Sequence, residues 1–269
     1  MTTIRSSDPT CIREMIKQAI SESYRQESLV KIDPLFEKKL DYREFRNEFD
    51  RATKSDKITL LENKFRDISI ETYHGFKFYK EDMEIINLLF TQIIARYIDG
   101  IESKLDPRKG VFLWGDYRIG KTFLMRSISY FSKYLQLVLE DRYPNPPLSK
   151  REEKSFFVDC NEEVTLFLSS KDGLLRNELL KSRMTFDDLG QEEYSISRMG
   201  SHYKFMDYIV SQRNDLYNRS KQLNKQPFIT NFVSNLSIPQ IEKHYDERFK
   251  LRLLEMSDPL EWKNSTRKT

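Results

Sequence analysis

Apolar and polar residues follow two different patterns on either side of residue 110. Before that point, apolar residues recur at helical spacing between charged ones over residues 12–20, 35–49 and 81–98. The pattern predicts two or three amphipathic helices within residues 1–74 and a further helix over 81–98. The pair Asp33-Pro34 predicts a break between the first two helices.

After residue 110, short runs of strand-forming residues alternate with helical patterns. The predicted strands lie at 111–114, 155–160, 184–186 and 226–232. The predicted helices lie at 123–140 and 201–221, with a short helix capped by Ser237 and an arginine-containing helix after it. Strands that alternate with helices are typical of a parallel sheet covered on both faces. The sequence therefore predicts an α/β fold with a parallel sheet flanked by helices.

Composition narrows the class of protein only slightly. The 269 residues are 38% hydrophobic and 32% charged, and the formal net charge of +3 neither demands nor excludes nucleic acid. The N-terminus lacks the apolar segment of a secretory signal, and no apolar run reaches the roughly 18 residues of a membrane span. Cys11 and Cys160 are far apart in the sequence, which suits a reducing compartment. We therefore expect a cytoplasmic protein without a membrane span.

The segment GVFLWGDYRIGKT, residues 110–122, matches the phosphate-binding pattern GxxxxGK[ST] between a predicted strand and a predicted helix. Its glycines allow the backbone to bring N–H groups against a triphosphate. The lysine would contact the β- and γ-phosphates, and the threonine hydroxyl would bind Mg²⁺. The alternative is a chance match in a loop. The predicted strand before the segment and the predicted helix after it both argue against that alternative. The candidate nucleotide-binding residues are Gly115, Asp116, Tyr117, Arg118, Ile119, Gly120, Lys121, Thr122 and Phe123, with Thr122 also a metal ligand.

A second candidate segment is MTFDD, in which a predicted strand runs into two aspartates. The carboxyl ends of parallel strands meet at one edge of a sheet, so Asp187 can lie near Lys121. We assign Asp187 to Mg²⁺ and Asp188 to polarising the attacking water. An exposed acidic turn is the alternative. Asn231, at the end of the predicted strand 226–232, could reach the γ-phosphate, although such an asparagine alone is more often a turn residue.

In order and spacing, the segments GDYRIGKT, FDDLG, FITNF, DERFKLRL and STRK resemble the AAA+ ATPases of the DnaC helicase-loader and IstB transposition-helper group. The resemblance covers residues 75–269 and implies a P-loop AAA+ domain there, with a short C-terminal lid. The helical pattern of residues 1–74 separately predicts an N-terminal appendage that packs on this domain or docks a partner. The resemblance also implies site roles. Asn231 would be the sensor on the γ-phosphate, Arg248 the arginine finger in the adjoining subunit's site, Arg252 its support, and Arg267 a second sensor in its own site.

The function implied by this resemblance is ATP hydrolysis to ADP and phosphate in a homo-oligomer that forms on ATP binding. The implied partners are DNA, chiefly single-stranded and bound without sequence preference, and a replicative helicase or a transposase. The residues alone leave other interpretations open. Arg248 and Arg252 could be solvated salt-bridge partners. Asp188 stands where AAA+ proteins more usually have Glu, which leaves room for a nucleotide-gated protein- or DNA-binding module with little turnover. A small-molecule kinase is a third interpretation.

Overall fold

The computed structural model describes residues 42–72, 79, 82–139, 157–161, 163–164, 183–193, 195–198, 201–223 and 228–263. Contacts divide the chain into a unit of Met1–Glu44 and a unit of Phe45–Thr269, and nearly all described residues belong to the second. The helix predicted near residues 12–20 lies outside the described residues, as does Arg267.

A five-stranded parallel sheet is the main element of the second unit. Its strands are β1 (Gly110–Gly115), β2 (Phe157–Asp159), β3 (Arg183–Leu189), β6 (Ile229–Ser234) and β7 (Ser257–Trp262). The order is β2-β3-β6-β1-β7, and every pairing is parallel. Two further strands, β4 (Ile196–Arg198) and β5 (Ser201–Tyr203), form a separate antiparallel pair.

Within the described residues, seven helices have assigned bounds. They are α1 (Tyr42–Arg51), α2 (Lys54–Thr72), α3 (Met83–Ile94), α4 (Lys121–Leu139), α5 (Phe205–Gln222), α6 (Ile238–His244) and α7 (Glu247–Met256). Successive side chains of a strand point to opposite faces of the sheet. Thr185 of β3 faces α4, where it meets Ser129, whereas the adjacent Phe186 packs in the cluster that α5, α6 and α7 form. Helices therefore cover both faces.

Aromatic side chains build the two halves of the core. On one face, fully buried Phe112, Phe232 and Phe186 lie side by side across β1, β6 and β3, and the rings of Phe186 and Phe232 stack at 5.6 Å. On the other, Phe65 of α2 packs against Phe131 of α4 at 5.3 Å. Helix α2 thus belongs to the same compact unit as the sheet. The division of the chain at residue 74 stays a prediction.

The predicted parallel sheet flanked by helices is confirmed. The helix after Ser237 is also confirmed as α6, whose first turn is closed by a 2.8 Å hydrogen bond from the Ser237 N–H to Gln240 Oε1. The helix predicted over 201–221 begins only at Phe205, because residues 201–203 form β5. Strand β7 was not predicted, since its sequence SDPLEW has a proline in the middle. Proline is tolerated there because β7 is an edge strand.

Within the part of the chain that the structure describes, no helix is long and apolar enough to cross a membrane.

Candidate functional site

The loop between β1 and α4 has the backbone geometry that its glycines allow. Gly115 and Gly120 have φ angles of 154° and 98°, and Arg118 between them has a φ of 61°. A Cβ atom on Gly115 would lie 1.9 Å from the carbonyl oxygen of Trp262, so no other residue fits beside β7. Helix α4 begins at Lys121, directly after the loop. The first-turn N–H groups of a helix favour an anion, and the loop is placed to hold one against them.

The Lys121 ammonium group is buried where the loop meets the end of β6, with 6% of the residue exposed. It donates hydrogen bonds to the carbonyl oxygens of Gly115 at 2.9 Å and Asp116 at 2.5 Å, and to Asn235 Oδ1 at 2.7 Å. Burial lowers the pKa of Lys121, and the carboxylates of Asp188, Asp116 and Asp187 oppose this effect. An ammonium group has three donors, and these contacts use all of them, so a phosphate oxygen would bind Lys121 by replacing one of the protein acceptors.

Asp187 and Thr122 come together from separate segments of the chain. The Thr122 hydroxyl donates to Asp187 Oδ1 at 3.1 Å. Asp187 is 3% exposed, and burial raises its pKa to about 6; the Asp188 charge adds to the rise, and the Thr122 hydrogen bond opposes it. The structure therefore places the carboxylate predicted for the metal beside the hydroxyl predicted for it. Their roles as ligands stay predictions.

The donor set fits Mg²⁺. This ion takes oxygen ligands and is usually held through one or two carboxylates, substrate phosphates and waters, rather than by a full protein cage. Thr122 and Asp187 supply a hydroxyl and a carboxylate oxygen at the loop that would hold the phosphates. Among the described residues, no group of three or more His, Cys, Asp or Glu side chains is arranged to hold a metal. The site thus suits a magnesium–phosphate pair better than a protein-only metal site.

Asp188 has an unusual backbone conformation. Its φ angle is +54°, in the left-handed region that few residues other than glycine adopt, and the pairing of β3 with β6 shifts register between Phe186 and Leu189. Burial raises the pKa of Asp188, the nearby Asp159 charge adds to this, and Lys121 opposes it. A strained acidic residue beside a phosphate loop is the kind of outlier that occurs at functional sites.

Asp159 was not selected from the sequence. It ends β2 and lies directly opposite Asp187 in the register of β2 and β3. The signal was present, because SFFVDC runs from apolar residues into an aspartate as MTFDD does. Asp159 therefore extends the acidic group at this edge of the sheet to three carboxylates.

The position predicted for Asn231 requires a correction. Strand β6 continues to Ser234, so Asn231 lies in the middle of the strand and not at its end. Its Oδ1 accepts from the Val111 N–H at 3.0 Å, and its Nδ2 donates to Thr185 Oγ1 at 3.1 Å. The polar side chain that follows β6 and contacts Lys121 is that of Asn235. Sequence reasoning missed Asn235 because the strand was ended two residues too early.

The remaining loop residues divide into an exposed and a buried set. Asp116, Tyr117 and Arg118 are exposed, and the Tyr117 hydroxyl accepts a 3.4 Å hydrogen bond from Gln191 Nε2. Ile119 and Phe123 are buried, at 4% and 7% exposure. The two apolar side chains anchor the loop in the core, so their contribution to phosphate binding is to hold the backbone.

Helix α7 presents Arg248 to solvent. Asp246 caps the helix by accepting from the Phe249 N–H at 2.7 Å, and Phe249 is buried. Arg252, one turn on, pairs with Asp207 of α5 at 3.4 Å. Arg248 is exposed and forms no ion pair with any described residue. The salt-bridge interpretation thus describes Arg252 and not Arg248.

The direction of α7 is set by the strand that follows it. Strand β7 begins opposite Gly110, at the amino edge of the sheet, so the last residues of α7 lie at that edge. A helix of 10 residues is about 15 Å long. Tyr245, two residues before the helix, donates to Glu192 in the turn after β3. The first turn of α7, with Arg248, therefore lies toward the carboxyl edge, where the phosphate loop also lies.

Fold and site together define a P-loop α/β protein. No protein-family model matches the sequence, and no curated protein was found to match it.

Three solved structures are similar in fold. One is DnaI, at 20% identity over 73% of this chain and 93% of that one, with a TM-score of 0.43. The second is the DnaC helicase loader, at 15% identity over 74% and 98%, with a TM-score of 0.45. The third is a putative primosome component from Streptococcus pyogenes serotype M3, at 15% identity over 71% and 84%, with a TM-score of 0.41. Because these TM-scores are below 0.5, the assignment of the fold rests on the strand order and the loop geometry.

Proposed function

We propose that this chain is an ATP-dependent AAA+ protein whose subunits assemble with nucleotide and load or remodel a DNA-associated partner, a replicative helicase or a transposase. The observation that carries the nucleotide-binding part of the proposal is the 3.1 Å contact of Thr122 Oγ1 with Asp187 Oδ1, one residue after the buried Lys121, on which the Asp187 charge acts. Binding of a metal–triphosphate needs a cation for phosphate and two oxygen ligands for Mg²⁺. Two distant segments supply all three.

Each residue of the site has a distinct task in this proposal. Lys121 and the loop N–H groups bind the β- and γ-phosphates. Thr122 and Asp187 would hold Mg²⁺, which when bound neutralises charge on the phosphate oxygens. Asp188 would accept a hydrogen bond from the attacking water and orient it. Asn235 accepts from Lys121 through Oδ1, so its Nδ2 group is the one that could donate to the γ-phosphate.

Assembly enters the proposal through Arg248. A guanidinium supplied by a neighbouring subunit can stabilise the charge on the transferred phosphoryl group, with an effect of about 10³- to 10⁵-fold on rate in well-studied cases. Arg248 is exposed on a helix that is capped, packed through Phe249 and tied to α5 through Arg252. An outward-facing arginine on an anchored helix is suited to such a role.

The test is a steady-state ATPase assay on the full chain, with a nucleotide-binding measurement beside it. The parent protein should bind ATP, and its hydrolysis rate per subunit should rise with protein concentration. Lys121→Ala should lose nucleotide binding, and a chromatographic mass measurement should show larger species with a non-hydrolysable ATP analogue. A parent protein that does not bind ATP would refute the proposal.

One observation favours a second candidate, a nucleotide-gated binding module with little turnover. Asp188 is one methylene shorter than glutamate and sits on a strained backbone at φ +54°. Such a group could be too short to place a water for attack. ATPase assays with and without single-stranded DNA distinguish the candidates, because a module shows ATP binding without hydrolysis under both conditions. The chromatographic mass measurement with the ATP analogue tests a third candidate, a small-molecule kinase, because a kinase would not need to assemble when it binds the analogue.

A further inference from the structure

Glu192 is a buried carboxylate in the turn that follows the aspartate pair, and it is 3% exposed. One of its oxygens, Oε2, accepts from the Gly190 N–H at 2.9 Å, which closes the turn on itself. The other, Oε1, accepts a short hydrogen bond from the hydroxyl of Tyr245. A buried carboxylate is costly to fold unless it is hydrogen-bonded, so a residue needed only for packing would not have to be acidic.

Tyr245 stands at the corner between α6 and α7. Its ring is 6% exposed and stacks on that of Phe249, with centroids 3.9 Å apart and an interplanar angle of 10°. The next residue, Asp246, caps α7, and Arg248 follows in the first turn. The hydrogen bond to Glu192 therefore connects the turn after Asp188 with the start of the helix that carries Arg248.

A second contact fixes the same turn to the end of β6. The Ser234 hydroxyl donates to the carbonyl oxygen of Leu189 at 2.6 Å and accepts from the Leu236 N–H at 3.0 Å. Gly190 follows with a φ angle of +91°, and a Cβ there would lie 2.4 Å from Leu236 Cδ1. Residues 188–192 are thus held on one side by the segment leading to Asn235 and on the other by Tyr245. A displacement of Asp188 would be transmitted to both.

We propose that Glu192 and Tyr245 are positioning residues that couple the turn carrying Asp188 to the presentation of Arg248. The state of the phosphate site in one subunit would then change how that subunit positions its Arg248 in the neighbouring subunit's site. The inference rests on the proposed function, in which Asp188 acts in its own site and Arg248 in the adjoining one. It concerns transmission between the two sites and assigns no contact with substrate to either residue.

The first experiment removes only the hydroxyl group that makes the connection. Tyr245→Phe keeps the ring that stacks on Phe249, and Tyr217→Phe, at a buried tyrosine of α5 that is 3% exposed, is the matched control. If the hydrogen bond to the Glu192 carboxylate contributes fully to positioning Arg248, its loss should change the rate constant of hydrolysis by about tenfold. We expect kcat of the assembled protein to fall about tenfold in Tyr245→Phe with KM for ATP within about twofold, while Tyr217→Phe keeps the parental kcat.

The second experiment separates the two sites by mixing subunits. Arg248→Ala subunits supply intact phosphate sites without a finger, and Lys121→Ala subunits supply fingers without a working site. Their mixture should regain hydrolysis, at a rate below the parental one because the empty phosphate site of the Lys121→Ala subunit no longer acts on its own Arg248. When Tyr245→Phe is added to the Lys121→Ala subunits, the regained rate should fall, although every working site in the mixture then has a parental Tyr245. A role confined to local packing of the working site would leave the regained rate unchanged.

Folding of each variant is checked by its thermal unfolding midpoint. If Tyr245→Phe does not fold, Glu192→Gln takes its place, because an amide of the same size keeps only one acceptor oxygen for two donors. Parental kcat in the folded variants, together with equal rescue in the mixtures, would overturn the inference and leave the ATPase proposal intact. A parent protein without ATP hydrolysis would instead reject the proposed function.

Discussion

Alanine substitutions at Asn231 and Asn235 should have opposite consequences, because the two amides serve different parts of the molecule. Asn231 joins β1, β6 and β3 through the Val111 N–H and Thr185 Oγ1, whereas Asn235 contacts the Lys121 ammonium group. The same chemical change, made four residues apart, thus separates a stability role from a role in catalysis.

For Asn231→Ala the cost follows from two polar groups left in the core. Val111 is 1% exposed and Thr185 is 2% exposed, and Thr185 Oγ1 retains only its 3.1 Å contact with Ser129. An unsatisfied buried polar group costs about 1–3 kcal/mol, so the free energy of unfolding should fall by about 2–4 kcal/mol. The unfolding midpoint should drop by about 5–15 °C, since a domain of this size loses about 2–4 °C per kcal/mol.

Asn235→Ala should lower stability by less than Asn231→Ala does. Asn235 is half-buried, and Lys121 keeps its bonds to the Gly115 and Asp116 carbonyls. The unfolding midpoint should stay within about 4 °C of the parent. If the amide donates to charge that develops on the γ-phosphate, kcat should fall about 10²- to 10³-fold, as for the loss of one preorganised donor.

The assay is circular dichroism melting without nucleotide, paired with steady-state hydrolysis at saturating ATP and Mg²⁺. Nucleotide is omitted from the melts because a ligand that binds the folded state would mask the loss of stability. The reasoning is refuted if Asn231→Ala loses kcat at a parental melting temperature while Asn235→Ala keeps its kcat.

Three further substitutions test other parts of the site. Gly115→Ala should abolish the cooperative unfolding transition, because its Cβ would lie 1.9 Å from the Trp262 carbonyl oxygen; a parental melting curve would contradict this. Asp187→Asn should weaken the apparent Mg²⁺ affinity by at least about tenfold, as measured by titrating the hydrolysis rate with Mg²⁺. An unchanged midpoint of that titration would mean that Asp187 is not a ligand. Arg248→Ala should keep ATP affinity within about twofold of the parent and lower assembly-dependent hydrolysis by about 10³-fold. Parental turnover in that variant would exclude the trans role.

The phosphate loop and Asp187 were accessible from sequence because both rest on local signals. The glycines of the phosphate loop and the strand that ends in aspartates can each be recognised from a short run of consecutive residues. The parallel sheet then brings Lys121 and Asp187 to one edge. The position of Asn235 depended on the length of β6. Phe232 and Val233 continue the apolar run, and the strand ends only at Ser234.

Features that depend on distant partners could not be predicted. Strand β7 contains a proline between Asp258 and Leu260, and its extended state comes from pairing with β1 along Gly110–Gly115. Local propensity is weak evidence where a tertiary pairing decides the conformation. The hydrogen bond between Glu192 and Tyr245 joins residues 53 positions apart, and neither has a sequence context that marks it.

The proline in β7 also bears on how copies of this chain can associate. Sheets grow by adding a strand to an open border, and a residue without an N–H group discourages such growth. Pro259 lies within the edge strand on one side of the sheet, and the described part of the edge strand on the other side, β2, is three residues long. Neither edge, as far as the structure describes it, offers a long ladder of free backbone groups. Addition of a further strand along either described edge is therefore disfavoured, and copies of this chain should associate through other surfaces.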